Sequence, residues 1–136
     1  TVFGGSQLRP NLHIQDYCDV VELFLTAPDE KVSDEIFNVG YQNMSIREIA
    51  DLVKKVVEEM FPDKEPIEIV TTPSDDNRSY HINSDRIAEK LGFRPRHSIE
   101  EAVRDLCAAF KRDALPDSMA NDKYYNVRTL KLLSAV

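Results

Sequence analysis

Arg78 lies on a polar loop, in the run Asp76-Asn77-Arg78-Ser79-Tyr80-His81, which leads into a short helix closed by Gly92. A guanidinium placed this way has the chemistry of an anion clamp, because its fork of donors matches the oxygens of a phosphate. The same run also holds a plainer reading. Asp75 or Asp76 can pair with Arg78 and merely order the loop. Arg9, beside Pro10 on a second polar loop, reads by itself as a solvated arginine. No group suited to covalent or proton-transfer chemistry accompanies them. The glycines, at 4, 5, 40 and 92, form neither the Gly-rich strand-to-helix turn of a dinucleotide site nor a P-loop. No Tyr is followed four residues later by Lys. Tyr124 has Arg128 there, which is too basic for a tunable proton partner. His13, His81 and His97 lack Cys or carboxylate partners at metal-ligand spacing. The expectation is a segment that grips a substrate, with no catalytic residue, cofactor site or metal site of its own.

The elements that must position these loops are readable in outline. Thr1 to Phe3 reads as a strand end entering the Gly4-Gly5 turn, as if cut from a larger protein. Gly4 to Asn11 is expected to be a polar loop, and Leu12-His13-Ile14 a short extended piece in which His13 is structural. Asp16 is placed as the cap of a helix whose apolar face is Tyr17, Val20, Val21, Phe24 and Leu25. Glu35-Ile36-Phe37-Asn38-Val39 and Ile67-Glu68-Ile69-Val70 carry strand composition. Ser45 and Glu48 form a capping box, as do Ser98 and Glu101. Ile49, Val53, Val56, Val57 and Met60 make one helical stripe. Ile99, Ala102, Val103, Leu106 and Phe110 make another. Ser84 is expected to cap the short helix carrying Ile87, Ala88 and Leu91. A last amphipathic helix falls near Leu130 to Leu133. Several helices with two or three short strands are too few strands for a self-contained doubly wound sheet. The reading is a small, mostly helical α/β lobe over residues 1–112, followed by a tail over 113–136.

Composition narrows the partners. At 136 residues and 42% hydrophobic, the chain can bury a core. Its net charge of −7 leaves no basic surplus for nucleic acid, though one small phosphorylated ligand needs only two or three placed cations. No apolar run is long enough to span a membrane, and no signal peptide opens the chain. Cys18 and Cys107 both fall on predicted apolar faces and are expected to be buried free thiols, which suits a reducing, cytoplasmic setting.

Four segments resemble one family in order and spacing. GGSQLRPNLHIQDYCDVVELFL is similar to a stretch of the extended short-chain dehydrogenases/reductases that act on nucleotide sugars, the NAD-dependent epimerases/dehydratases. EIFNVG, MSIREIADLV and DDNRSYHINSDRIAEKLGFRPRHSIEEAVRDL resemble that family's next strand, the helix after it and its closing block, through about Arg112. The resemblance implies a Rossmann-type parent. Its cofactor domain, NAD(P) and Tyr-x-x-x-Lys pair would precede Thr1, and this segment alone would be inactive and bind no cofactor. It implies a nucleoside diphosphate sugar as the bound partner. Arg9 would clamp the diphosphate, Arg78 would make a second phosphate or ribose contact, and Val2 and Phe3 would lie along the base. Tyr80 and His81 are further candidate contacts. Asn83 replaces the Asp many relatives show before the short helix, and the tail exceeds the family pattern. The competing expectation is a non-catalytic interaction module that forms homo-oligomers through exposed apolar surface.

Overall fold

The computed structural model describes residues 1–76 and 78–134. Two compact units divide it, Thr1–Asp105 and Leu106–Val136. The first holds two small sheets. Strands β1 (Val2–Phe3) and β4 (Thr71–Thr72) pair in parallel, with Val2 opposite Thr71. Strands β2 (Leu8–Asn11) and β3 (Gln42–Ser45) pair antiparallel, with Leu8 opposite Ser45 and Asn11 opposite Gln42. Helices α1 (Ile14–Thr26), α2 (Asp29–Val32), α3 (Ile46–Met60), α4 (Asp85–Leu91) and the start of α5 (Ile99–Lys111) complete it. The second unit contains the rest of α5, a 3-10 turn at Asp122–Tyr124 and α6 (Asn126–Leu133). The architecture is α/β and mostly helical.

Two runs with strong strand composition form no ladder. Glu35 to Val39 is irregular, and Glu35 serves instead as a carboxylate for Arg86 and Lys90. The run ending at Val70 only borders a sheet, where Val70 C=O accepts from Val2 N–H at 2.7 Å. A β-prone run becomes a strand only beside a neighbour that takes its backbone groups. The ladders form at LRPN and QNMS, which carry no such composition. Pro10 is tolerated within β2 because its missing donor falls on an edge of a two-stranded sheet.

The entry to α1 also differs from expectation. His13, not Asp16, is the N-cap, and its Nδ1 accepts from Gln15 N–H at 3.1 Å. Its ring is buried, and Nε2 faces the Asp105 carboxylate at 3.4 Å. Asp16 sits one turn in, 1% exposed. It accepts from the backbone N–H of Arg96 at 3.1 Å and of His97 at 3.0 Å, and from His97 Nδ1 at 2.8 Å. This rotates the helix. Asp16 and Val20 face inward, while Ile14, Tyr17, Val21 and Leu25 are exposed. Cys18 lies on that outer face and is exposed, contrary to expectation, whereas Cys107 is buried; both thiols are free. On α5, Leu106 and Phe110 are about half exposed, and Ile99 and Cys107 take the buried positions.

Other elements obey their local signals closely. Ser45 Oγ accepts from Glu48 N–H at 3.2 Å, and the Glu48 carboxylate accepts from Ser45 N–H at 2.7 Å. The Ser45 backbone bond first, and then the bond the Ser45 hydroxyl donates to the same carboxylate at 2.8 Å, hold the Glu48 carboxyl below its ordinary value. The box starts α3, whose Val56 is fully buried. Ser45→Ala removes the side-chain acceptor for an orphan helix donor and should cost about 1 kcal/mol, read as a lower urea midpoint with unchanged slope. Gly92 closes α4 at φ +70°, a conformation that favours glycine. Ser84 takes the N-cap position of α4 as expected, but its side chain makes no capping bond. Its hydroxyl instead accepts from Gly40 N–H at 2.9 Å and donates to Gly40 C=O at 3.0 Å, which anchors the segment before α4.

Candidate functional site

β1 runs into the Gly4-Gly5 turn, and both glycines hold positive φ, +76° and +133°. At Gly4 a Cβ would fall 2.3 Å from Gln7 Nε2, so a side chain there would push the Gln7 amide out of its place as well as strain the backbone. Gln7 is buried and organises the turn. Its Oε1 accepts from Gly5 N–H at 2.7 Å, and its Nε2 donates to Phe3 C=O at 3.3 Å and to Asp76 C=O at 2.9 Å. One amide thus joins β1, the turn and the 74–78 loop. Gln7 C=O and Gly5 C=O accept from Ile46 and Arg47 N–H, tying the turn to the start of α3. A cleft of about 430 Å³ opens here, lined by Val2, Phe3, Gln7, Arg9, Ile46 and Asp76 among others.

Arg9 projects from β2 toward the 76–80 loop. Its Nη1 donates to Arg78 C=O at 2.7 Å and Leu8 C=O at 2.9 Å, and its Nη2 lies 3.9 Å from Asp76 Oδ2. The guanidinium carbon stands 5.3 Å from the centre of the Tyr80 ring. Leu8 N–H donates to Ser79 Oγ, and Tyr80 N–H to Leu8 C=O, so β2 holds the loop from both sides. Arg78 engages Asp76 through both ends of its fork, Nε to Oδ1 at 2.7 Å and Nη2 to Oδ2 at 2.8 Å. That fork, ahead of the Arg78 backbone bond and the charge of Arg9, holds the Asp76 carboxyl far below the usual carboxylate range. In return Asp76 raises Arg78.

Arg9 and Arg78 therefore meet, 69 positions apart in sequence, around one carboxylate. Val2, Phe3 and Arg9 line the same cleft, and Tyr80 reaches it through Arg9. His81 does not join them: it lines a separate hollow of about 340 Å³ with Tyr41, Asn83, Asp85 and Arg94. The pairing of Arg78 with Asp76 is the plainer of the two readings the loop allows. Sequence reasoning misses Gln7, although a Gly-Gly turn followed two residues later by an amide is a signal for a side-chain brace. Among the described residues no group of three or more His, Cys, Asp or Glu is placed to hold a metal. No helix of the described residues is long and apolar enough to cross a membrane.

No protein-family model matches the chain. Sequence relatives are found among curated proteins. The dTDP-glucose 4,6-dehydratase of Shigella flexneri is 27% identical over 109 residues, covering 76% of this chain and 29% of that protein. The chloroplastic UDP-sulfoquinovose synthase of Spinacia oleracea is 28% identical over 106 residues, covering 77% of this chain and 22% of that protein. The chain thus spans less than a third of these relatives' length. The crystal structure of a UDP-glucose 4-epimerase from Thermotoga maritima, determined with UDP-glucose, superposes with a TM-score of 0.63 at 24% identity, covering 83% of this chain and 35% of that one. An L-threonine dehydrogenase from Phytophthora infestans gives a TM-score of 0.65 at 11% identity, covering 82% of this chain and 36% of that one. These two structures share the fold. With that fold and these sequence relatives, the chain is similar to part of an extended short-chain dehydrogenase/reductase of the nucleotide-sugar epimerase/dehydratase kind.

Proposed function

We propose that this chain is the substrate-binding part of a nucleotide-sugar epimerase or dehydratase, and that the cleft beside β1 takes the nucleoside diphosphate portion of the substrate. The observation that carries this reading is that Arg9 lines a cleft whose floor is apolar, at Val2 and Ile46, and meets there both the Arg78 carbonyl and Asp76, the carboxylate that the Arg78 side chain holds. The guanidiniums are of the kind that holds phosphate oxygens, although Arg78 is paired with Asp76 here, and the floor has the surface for a base. Phe3 stands 64% exposed beside it, free to lie against a planar ring. Ser79, Leu8 and Gln7 fix the backbone on either side, so the rim is organised before a ligand arrives.

NAD(P) belongs to this proposal as a cofactor of the whole enzyme. The residues of this chain do not fit it. β1 leads into a turn closed by Gln7 rather than into a helix N-terminus, and α1 and α3 begin on their own side-chain caps. On this reading the hydride and proton transfers use residues outside the chain, which by itself turns nothing over. A reducing, cytoplasmic setting fits the free Cys18 and Cys107 thiols.

Calorimetric titration of the chain with UDP and with dTDP tests the clamp. Weak binding is expected for at least one of them, and Arg9→Ala should weaken it by about tenfold or more through loss of charge-assisted bonds. Equal affinity in wild type and variant, or no binding by either nucleotide, rejects the clamp.

A second reading has one observation of its own. The outward face of α1 carries Ile14, Tyr17, Val21 and Leu25, with Leu25 81% exposed. Spacings of three and four residues put them on one stripe. On this reading the stripe is a contact surface for a second copy or for another part of the enzyme. It predicts self-association that Leu25→Glu abolishes and that nucleotide leaves unchanged, measured by sedimentation velocity over a range of concentrations.

A further inference from the structure

We propose that Asp76 is a built-in competitor, an internal carboxylate seated where a ligand diphosphate binds, so that the ligand enters by displacing it from Arg78 and Arg9. The inference rests on the clamp reading above and adds how that clamp is regulated. Three features of the loop support it.

The first is shape. Arg78 holds Asp76 with two parallel bonds, 2.7 and 2.8 Å long, the same fork-to-oxyanion arrangement a guanidinium makes with phosphate. Arg9 approaches the same carboxylate at 3.9 Å from the cleft side. The seat between the arginines is therefore an anion seat already in use.

The second is exchangeability. The Arg78 side chain is 72% exposed and that of Asp76 42% exposed, so water can solvate both partners as they separate. An ion pair in such a place contributes little net stability and can trade partners. Main-chain anchors keep the loop in place meanwhile. Asp76 C=O accepts from Gln7, Asp76 N–H donates to Ser74 Oγ at 3.2 Å, and Arg78 C=O accepts from Arg9. The carboxylate can swing out while the backbone stays.

The third is charge. Two guanidiniums and one carboxylate leave a single net positive charge at the rim. A diphosphate carries more negative charge than one carboxylate, so the exchange favours it, whereas a monoanion gains little over Asp76. The internal anion thus sets a threshold: small monovalent anions fail to open the seat, and a diphosphate succeeds.

The test uses the 136-residue chain and inorganic pyrophosphate at constant ionic strength. Asp76→Asn keeps the side-chain shape but removes the competing charge, and pyrophosphate should bind about tenfold tighter to it than to wild type. Acetate should gain affinity in the variant as well, because the threshold has gone. In wild type, NMR should show the Asp76 carboxyl carbon moving in step with Arg78 Nε during the titration. If Asp76→Asn binds pyrophosphate no tighter than wild type while Arg9→Ala loses binding, the competitor is rejected and the clamp stands. If pyrophosphate binds neither wild type nor Asp76→Asn, the clamp is rejected and the competitor with it. Should the variant fail to fold, the wild-type titration decides alone, and an Asp76 carbon unmoved at saturation overturns the proposal.

Discussion

Asp16→Ala should lower the stability of the chain by about 3 kcal/mol at neutral pH, roughly two orders of magnitude in the folding equilibrium. The carboxylate is 1% exposed and has three donors converging on it. They are Arg96 N–H, His97 N–H and His97 Nδ1. Truncation leaves them facing a void inside the first unit, and buried donors without acceptors cost more than the bond itself had contributed. Asp16→Asn keeps the volume and one acceptor but turns an NH₂ toward donors, so it should recover only part of the loss. The pH dependence identifies the mechanism. Burial pushes the Asp16 carboxyl up, but the His97 backbone and side-chain bonds, the Arg96 backbone bond and the His97 charge together outweigh it. The net shift is downward. A carboxyl held below its unfolded value stabilises the fold above the unfolded pKa of about 3.9, and that contribution fades as pH falls through the folded value. The gap in urea midpoint between wild type and Asp16→Ala should therefore be widest near neutrality and narrow below about pH 4. A gap that stays constant from about pH 7 to about pH 3 would assign the loss to packing alone.

The same residue shows where sequence reading stops. An Asp beside a helical run reads as a cap, because capping is local and can be scored within about four residues. The true partners of Asp16 lie 80 and 81 positions away, on a segment with no signal of its own. Ser45 with Glu48, Ser98 with Glu101, and Gly92 are legible because each device closes within a turn of helix. The ladders are not. Leu8 to Asn11 and Gln42 to Ser45 are polar, and they pair because the Gly4-Gly5 turn and α3 bring them together. Glu35 to Val39 has the composition of a strand but no pairing neighbour among the described residues, and composition alone cannot supply one. In the site, the approach of Arg9 to Arg78 is legible through family resemblance, whereas the role of Asp76 is visible as mere adjacency. Charge two residues away along a loop is local information; a cleft is not. Gln7 carries no pattern that periodicity could detect, yet its one amide bonds to β1, the glycine turn and the loop beyond Ser74.

That reach makes Gln7→Glu the sharpest probe of the site's architecture. The substitution changes one NH₂ to an oxygen and almost nothing in volume. The carboxylate can still accept from Gly5 N–H, but it has no hydrogen to give Phe3 C=O or Asp76 C=O, 3.3 and 2.9 Å from the donor it replaces. A buried negative oxygen would then face two carbonyl oxygens, and the cost at neutral pH should be about 3 kcal/mol. Burial and repulsion raise the pKa of the substituted carboxyl above its unfolded value of about 4.3. A raised carboxyl binds its proton more tightly when folded, so stability should return as pH falls through that raised value. The recovery is complete only below about pH 4.3. The proton also restores one donor, which can rejoin Phe3 or Asp76. Gln7→Ala lacks this proton and should stay destabilised at both ends of the range. Urea denaturation at about pH 7.5 and about pH 5 separates the two: only the Glu variant should gain stability relative to wild type on acidification. Because Gln7 holds the Asp76 backbone, nucleotide affinity should follow the same pH course in that variant, falling at the higher pH and rising toward wild type at the lower. A variant that is stable and pH-indifferent would mean that the turn, the loop and the cleft do not depend on this one amide.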